Sequence, residues 1–310
     1  MKRKDFLRLS LLGGLGSALA AGGPRAAAGS GPAGNSFRFV HLTDIHLYAE
    51  SRGMEGLLKA VGAVNSLDPV PDFVITGGDL VGDALAAGYE DAVKQFDLYQ
   101  SCISRLGMPV YHTIGNHDIF GWYPWSGVSP DHPEFGKQMF RKRLGGGRSW
   151  RSFDHKGWHF ILFDSMEPDE WKTGYCGRVS REQLVWLKQD LDSLDKTTPI
   201  AAVTHIPFVS GIEQFRSGGD AAWSEGGAVM NSDEVLRVFQ GYNLKLVLQG
   251  HIHREEELRV EKIRFIMSGA VSGAWWRGPN VNTQEGFGVV DVSGDNFSFS
   301  YLDYGWETEK

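Results

Sequence analysis

"LKLVLQGHIH" (residues 244–253) joins a short apolar run to two histidines, one residue apart, behind a glycine. The run has the length and branching of a buried strand and stops at the glycine, so both histidines fall at a strand end. A Gly-His-x-His alone says little, because histidine pairs arise by chance and a strand end can carry them for no chemical reason. The other strands have to supply its meaning.

They are built alike. "FRFVHL" (37–42), "DFVITG" (72–77), "PVYHTI" (109–114), "WHFILF" (158–163) and "PIAAVTH" (199–205) are further apolar runs, and helix-period stretches near 53–66, 84–105, 181–194 and 232–240 alternate with them. The pattern is that of an α/β layered domain. From about residue 256 strands follow one another with a turn signal at Gly294-Asp295. No linker precedes them, so they are expected as antiparallel strands completing a second sheet of one domain over 37–310.

Polar residues cluster directly after these runs. Asp44 and His46 follow the first, Gly78-Asp79 the second and Gly115-Asn116-His117-Asp118 the third, while His205 ends the fifth and His251 and His253 follow "LKLVLQG". Loops at the carboxyl ends of strands in layered α/β folds converge on one crevice. Carboxylates, imidazoles and an amide carbonyl together suit hard or borderline divalent cations such as Mn, Fe or Zn. If the strand ends stay extended, residues i and i+2 share a side, which would let Asp44 with His46, and His251 with His253, each present two ligands.

The amino terminus is of another kind. "MKRKDFLRLSLLGGLGSALAAGGPRAAAGS" opens on basic residues, continues in an apolar run too short to span a bilayer, and reaches Ala18-Leu19-Ala20 as a small-residue cleavage pattern. Residues 1–28 are therefore expected to be an export signal and 29–36 a linker. "RKDFLR" (3–8) resembles the twin-arginine signal, with Lys4 where the second arginine belongs. Removing the signal takes away five basic side chains and one acidic one, so the net charge of −7 becomes −11. An acidic exported chain is poorly suited to nucleic-acid backbones, and no stable membrane span is expected after cleavage. Two cysteines, Cys102 and Cys176, are too few for a disulfide scaffold and lack zinc-ribbon spacing.

The five polar blocks "DIH", "GGD", "GNHD", "THIP" and "GHIH", in that order, resemble the calcineurin-like metallophosphoesterases. "FDS" (163–165) and "REQLVWLKQDL" (181–191) extend the likeness, which covers about 37–255. The resemblance implies an α/β/β/α sandwich of two mixed sheets with a dimetal site at the carboxyl ends of strands. It assigns Asp44, His46, Asp79 and His253 to one divalent metal ion and Asp79, Asn116, His205 and His251 to the second, with Asp79 bridging through its two oxygens. Two such ions, about 4 Å apart, generate a bridging hydroxide for in-line attack on a small phosphate ester. His117 would serve the leaving oxygen, and Asp118 would orient His117 through its other ring nitrogen.

Within the superfamily the blocks are most similar to class III cyclic-nucleotide phosphodiesterases and exported bacterial phosphoesterases. Purple acid phosphatases carry a tyrosine where Gly82 stands, and protein serine/threonine phosphatases continue with an arginine that "GDLVGDA" (78–84) lacks. Substrate contacts are expected from Trp122, Tyr123 and Trp125 in the long loop 119–136, and from Arg277 in "SGAWWRGPN" (272–280); "GDAAWSEGG" (219–227) is a third rim. The expected location is periplasmic or extracellular. A competing function is an exported sugar or envelope-polymer binding protein with an inert metal site.

Overall fold

The structure, a computed structural model, describes residues 35–49, 52–171 and 173–308. The expected export signal and all of the linker before residue 35 lie outside the described residues. Strands and helices follow in the order β1 (Ser36–Leu42), α1 (Gly53–Asn65), β2 (Phe73–Thr76), α2 (Tyr89–Ile103), β3 (Val110–His112), α3 (Gln138–Arg143), β4 (Arg151–His155) and β5 (Trp158–Leu162). Then come β6 (Met166–Pro168), β7 (Tyr175–Gly177), α4 (Arg181–Asp192), β8 (Pro199–Val203), α5 (Ile212–Ser217), α6 (Ser232–Val238) and β9 (Asn243–Gln249). The chain closes with β10 (Glu255–Val260), β11 (Ile263–Ser268), β12 (Gly286–Ser293) and β13 (Asn296–Asp303).

Alternation inside the buried runs creates the layers. Phe37 and Phe39 of β1, Phe73 and Ile75 of β2, Phe160 and Leu162 of β5, and Leu246 and Leu248 of β9 meet in one apolar cluster between two sheets. The intervening Val40, Val74, Ile161 and Val247 belong to a second cluster shared with the helices, as the two-residue period of a strand requires. Phe39 stacks on Phe73 at 5.1 Å and Phe160 meets both edge-on at 5.4 and 5.3 Å, so rings from both sheets fill the interface. Helix α4 follows from its sequence: Ser180 caps it through the Gln183 amide, and Gln183, Leu187 and Leu191 at four-residue spacing face inward. The expected layered α/β/β/α sandwich of two mixed sheets is present.

One sheet has the order β13-β12-β1-β2-β3 and the other β10-β11-β9-β8-β5-β4, with β6-β7 as a separate hairpin. The carboxyl-terminal strands therefore correct the sequence reading. Instead of completing one sheet, β10 and β11 extend the six-stranded sheet, β11 running parallel to β9, while β12 and β13 extend the five-stranded one. The turn at Gly294 is where it was expected, closing β12 onto β13 through Ser293 and Asn296. Strands β1, β2 and β3 are mutually parallel, as are β5, β8 and β9. Among the described residues no helix is long and apolar enough to cross a membrane. Cys102 and Cys176 are both free and buried.

His159 on β5 ties the helical layer to the sheet through Asp154 at 2.7 Å and Asp190 of α4 at 2.9 Å. Burial opposes its charge, but the bonds to Asp190 and Asp154 overcome that and raise its pKa. Stability from this contact is thus fully present below the unfolded value near 6.5 and is lost as pH rises through the higher folded value. His159→Gln is expected to cost on the order of 1 kcal/mol at pH 5.5, the gap from wild type closing in alkaline urea titrations. A gap independent of pH would contradict this.

Candidate metal centre and active site

Five loops bring the polar blocks together. Asp44, His46 and His253 form one group and Asp79, His205 and His251 a second, the ligand atoms within each lying within 4.8 Å of one another; His46, Asp79 and His117 form a third, overlapping group. His46 Nε2 lies 2.9 Å from His253 Nε2, and His253 Nε2 lies 3.3 Å from Asp44 Oδ1. In the second group His205 Nε2 lies 3.1 Å from both Asp79 Oδ2 and Asn116 Oδ1, and 3.3 Å from His251 Nδ1. All seven residues expected to bind metal are therefore in one place, every one buried except the half-buried His251.

Asp79 joins the groups, but not as the sequence reading had it. Its Oδ1 accepts the His117 backbone N–H at 2.8 Å. The other oxygen alone, Oδ2, faces His205 and, at 3.5 Å, His46. The extended i, i+2 geometry is likewise replaced: Asp44, His46, Asp79, His251 and His253 all have left-handed backbones, with φ of 55°, 45°, 53°, 76° and 57°. Non-glycine residues adopt that region at a cost and persist in it where their surroundings over-determine them, commonly at functional sites. Because of these turns His251 and His253 diverge, one to each group.

The donor set fits divalent cations. His253 Nδ1 bonds to the Gly273 carbonyl at 2.7 Å and His205 Nδ1 to the Gly77 carbonyl at 2.8 Å. A carbonyl only accepts, so each Nδ1 carries the proton and each Nε2 turns towards acceptors. The buried His46 Nδ1 has no hydrogen-bond partner among the described residues. Burial opposes charge on Asp44 and Asp79, yet the facing histidines hold both carboxyls below the usual range. Burial also opposes charge on His205, but Asp79 overcomes it and lifts the imidazole to about 9. Without cations, protons and ion pairs fill the cluster; with them, the same lone pairs are free to coordinate.

Asp118 does not orient His117. Its Oδ1 accepts from the backbone N–H groups of Leu80 and Val81, and its Oδ2 from that of Gly115, so the carboxylate clamps the loops carrying Asp79 and Asn116 together. Burial first, and Asp79 next, push it up to about 7 against those three donors. The carboxylate beside His117 is Asp83, whose Oδ1 lies 3.6 Å from His117 Nδ1. The His117 ring stands edge-on to His46 at 4.7 Å, at the half-exposed side of the cluster.

Of the expected substrate contacts, Trp122 packs against Gly136 and under the Lys137 ammonium, in a loop closed by paired bonds between Phe120 and Gly136. Tyr123 stacks on the exposed Trp125 at 4.4 Å and lies within electrostatic range of Asp83 and Asp79. Arg277 is exposed, on the side of Tyr48.

Sequence reasoning missed the support from 271–276. Val271 N–H bonds to the Thr43 carbonyl, Ser272 Oγ to the Asp44 carbonyl at 2.7 Å, and Trp276 Nε1 to the His46 carbonyl at 3.1 Å. Gln249 holds the backbone of Phe208 and Val209, and Gln183 that of Asp164 beneath the His205 loop. The pair of tryptophans between glycines was the visible signal.

The family profile described as calcineurin-like phosphoesterase matches residues 37–255. Among solved structures, a dimetal phosphatase from Danio rerio is similar at a TM-score of 0.63 and 15% identity, covering 87% of this chain and 96% of that one. GAP50 of Plasmodium, described as the anchor in the inner membrane complex, is similar at 0.57 and 15%, covering 87% and 85%. At such identities the likeness concerns the fold. No curated protein sequence matches the chain.

Proposed function

This chain belongs to the calcineurin-like phosphoesterase family and is a metal-dependent phosphoester hydrolase; from that premise we propose that Asp44, His46, Asp79 and His253 hold one divalent cation and Asp79, Asn116, His205 and His251 the other. The observation that carries the reading is Asp79 Oδ2, a single buried carboxylate oxygen facing an imidazole of each group. Bound there, two cations supply charge that polarises a phosphoryl group and acidifies water. Oxygen and nitrogen donors without a thiolate suit Mn, Fe or Zn.

The chain's own groups do the rest. Gly273 and Gly77 fix the histidine tautomers through their carbonyls, and Asp118 keeps the two central loops in register through the Leu80 and Val81 amides. His117, half-exposed beside His46, donates a proton to the departing ester oxygen, and Asp83 Oδ1 lies 3.6 Å from its Nδ1. The substrate is a small phosphate ester, monoester or diester, and the signal-like amino terminus with the acidic body supports export to the periplasm or beyond.

The test is p-nitrophenolate release from bis-p-nitrophenyl phosphate and p-nitrophenyl phosphate by the Mn²⁺-loaded mature protein. His117→Ala is expected to lower kcat by roughly 10² to 10⁴ with both ions retained. Full activity in the variant would remove His117 from the reaction, and an inactive, metal-loaded parent would favour a binding protein.

A further inference from the structure

Trp275 is exposed at 43% although it stands at the metal centre. Its indole lies 4.6 Å from the His253 ring at 35° and 5.5 Å from the His46 ring at 51°. Both Trp275 and Trp276 have left-handed backbones, with φ of 54° and 66°, a conformation that bulky residues seldom keep without a compensating role. Trp276 accounts for its own strain: it is buried, bonds to the His46 carbonyl, and fills the space that Gly56 leaves open. Trp275 has no such anchoring among the described residues, and what the turn achieves is to present its indole beside the ligand histidines.

The position relative to the proposed acid is informative. His46 is flanked by His117 at 4.7 Å and by Trp275 at 5.5 Å. A group esterified to a phosphate between the cations and His117 therefore has an indole within reach. Two ring contacts, His253 and His46, already hold one part of the side chain, and a flat ring laid on the open part would remove apolar surface from water and gain stacking. An aliphatic group would cover less of it and gain no stacking.

We propose that Trp275 is a specificity-determining residue and that its indole is the platform for a planar aromatic group on the substrate's ester arm, making aryl or heteroaryl phosphoesters the preferred class. The inference rests on the phosphoesterase reading of the same centre. It concerns which ester is chosen, not whether esters are cleaved.

The experiment is calorimetric binding of phenylphosphonate and of methylphosphonate to the Mn²⁺-loaded protein, which needs no turnover. Wild type is expected to bind phenylphosphonate roughly tenfold more tightly than methylphosphonate. Trp275→Ala should bring that ratio near one with methylphosphonate affinity and metal content kept, and Trp275→Phe should restore it. A ratio unchanged in Trp275→Ala, or equal weakening of both ligands with loss of metal, overturns the proposal. Failure of both phosphonates to bind wild type would instead strike the proposed function itself.

Discussion

Replacing Asp79 with asparagine is expected to lower turnover by roughly a thousandfold and to empty both cation positions. Asparagine keeps the shape and, with its oxygen placed on the Oδ1 side, still accepts the His117 backbone N–H, so the loop has no reason to move. What disappears is the negative charge at Oδ2, between His205 at 3.1 Å and His46 at 3.5 Å. Because one oxygen faces both groups, its loss weakens both, whereas a ligand confined to one group would spare the other. Kinetics with bis-p-nitrophenyl phosphate and elemental analysis of the same sample check this together. Two retained ions and a rate within tenfold of the parent would contradict it.

Gly115→Ala is expected to damage the same carboxylate from the backbone side. A Cβ there would stand 2.1 Å from the Asp79 nitrogen and 2.2 Å from Asp79 Oδ1. The nitrogen is backbone and the oxygen is held by the His117 N–H, so the two loops must part, against the two bonds by which Asp118 holds them. Displacements near an ångström at a reacting centre cost about a hundredfold in rate, and overpacking costs about 1–3 kcal/mol in stability. Gly62→Ala in α1, where an added Cβ meets nothing within 4 Å, should leave the rate unchanged and stability equal or higher. The comparison uses urea unfolding alongside kinetics; a Gly115→Ala protein as active and as stable as the parent would show that the approach relaxes.

Side-chain chemistry was legible in the sequence, and conformation was not. The ligands after β1, β2, β3, β8 and β9 could be read because buried parallel strands leave continuous apolar runs, and carboxylates and imidazoles directly after such runs are conspicuous. The pattern of runs gave only a layered α/β domain, and the fourfold layering came with the resemblance, because a run such as Phe73-Val74-Ile75 is apolar on both faces. Hidden from view were the left-handed turns at Asp44 and His253, since an i, i+2 spacing looks the same extended or coiled. The true partners of Asp118 are backbone amides of the Asp79 loop and of its own, which leave no mark of residue type. The same holds for the Gly273 carbonyl that orients His253. Elements as short as α3, α5, β6 and β7 carry too few residues for a period to show. The separation of β10-β11 from β12-β13 depends on long-range pairing, which local pattern does not encode.

The central claim is that two divalent cations share Asp79. An anomalous-difference map from crystals of the Mn²⁺-loaded protein tests it most directly. Two peaks are expected, both adjoining Asp79 Oδ2, one among Asp44, His46 and His253 and the other among Asn116, His205 and His251. A single peak in an active crystal, or two that leave Asp79 untouched, would contradict the account.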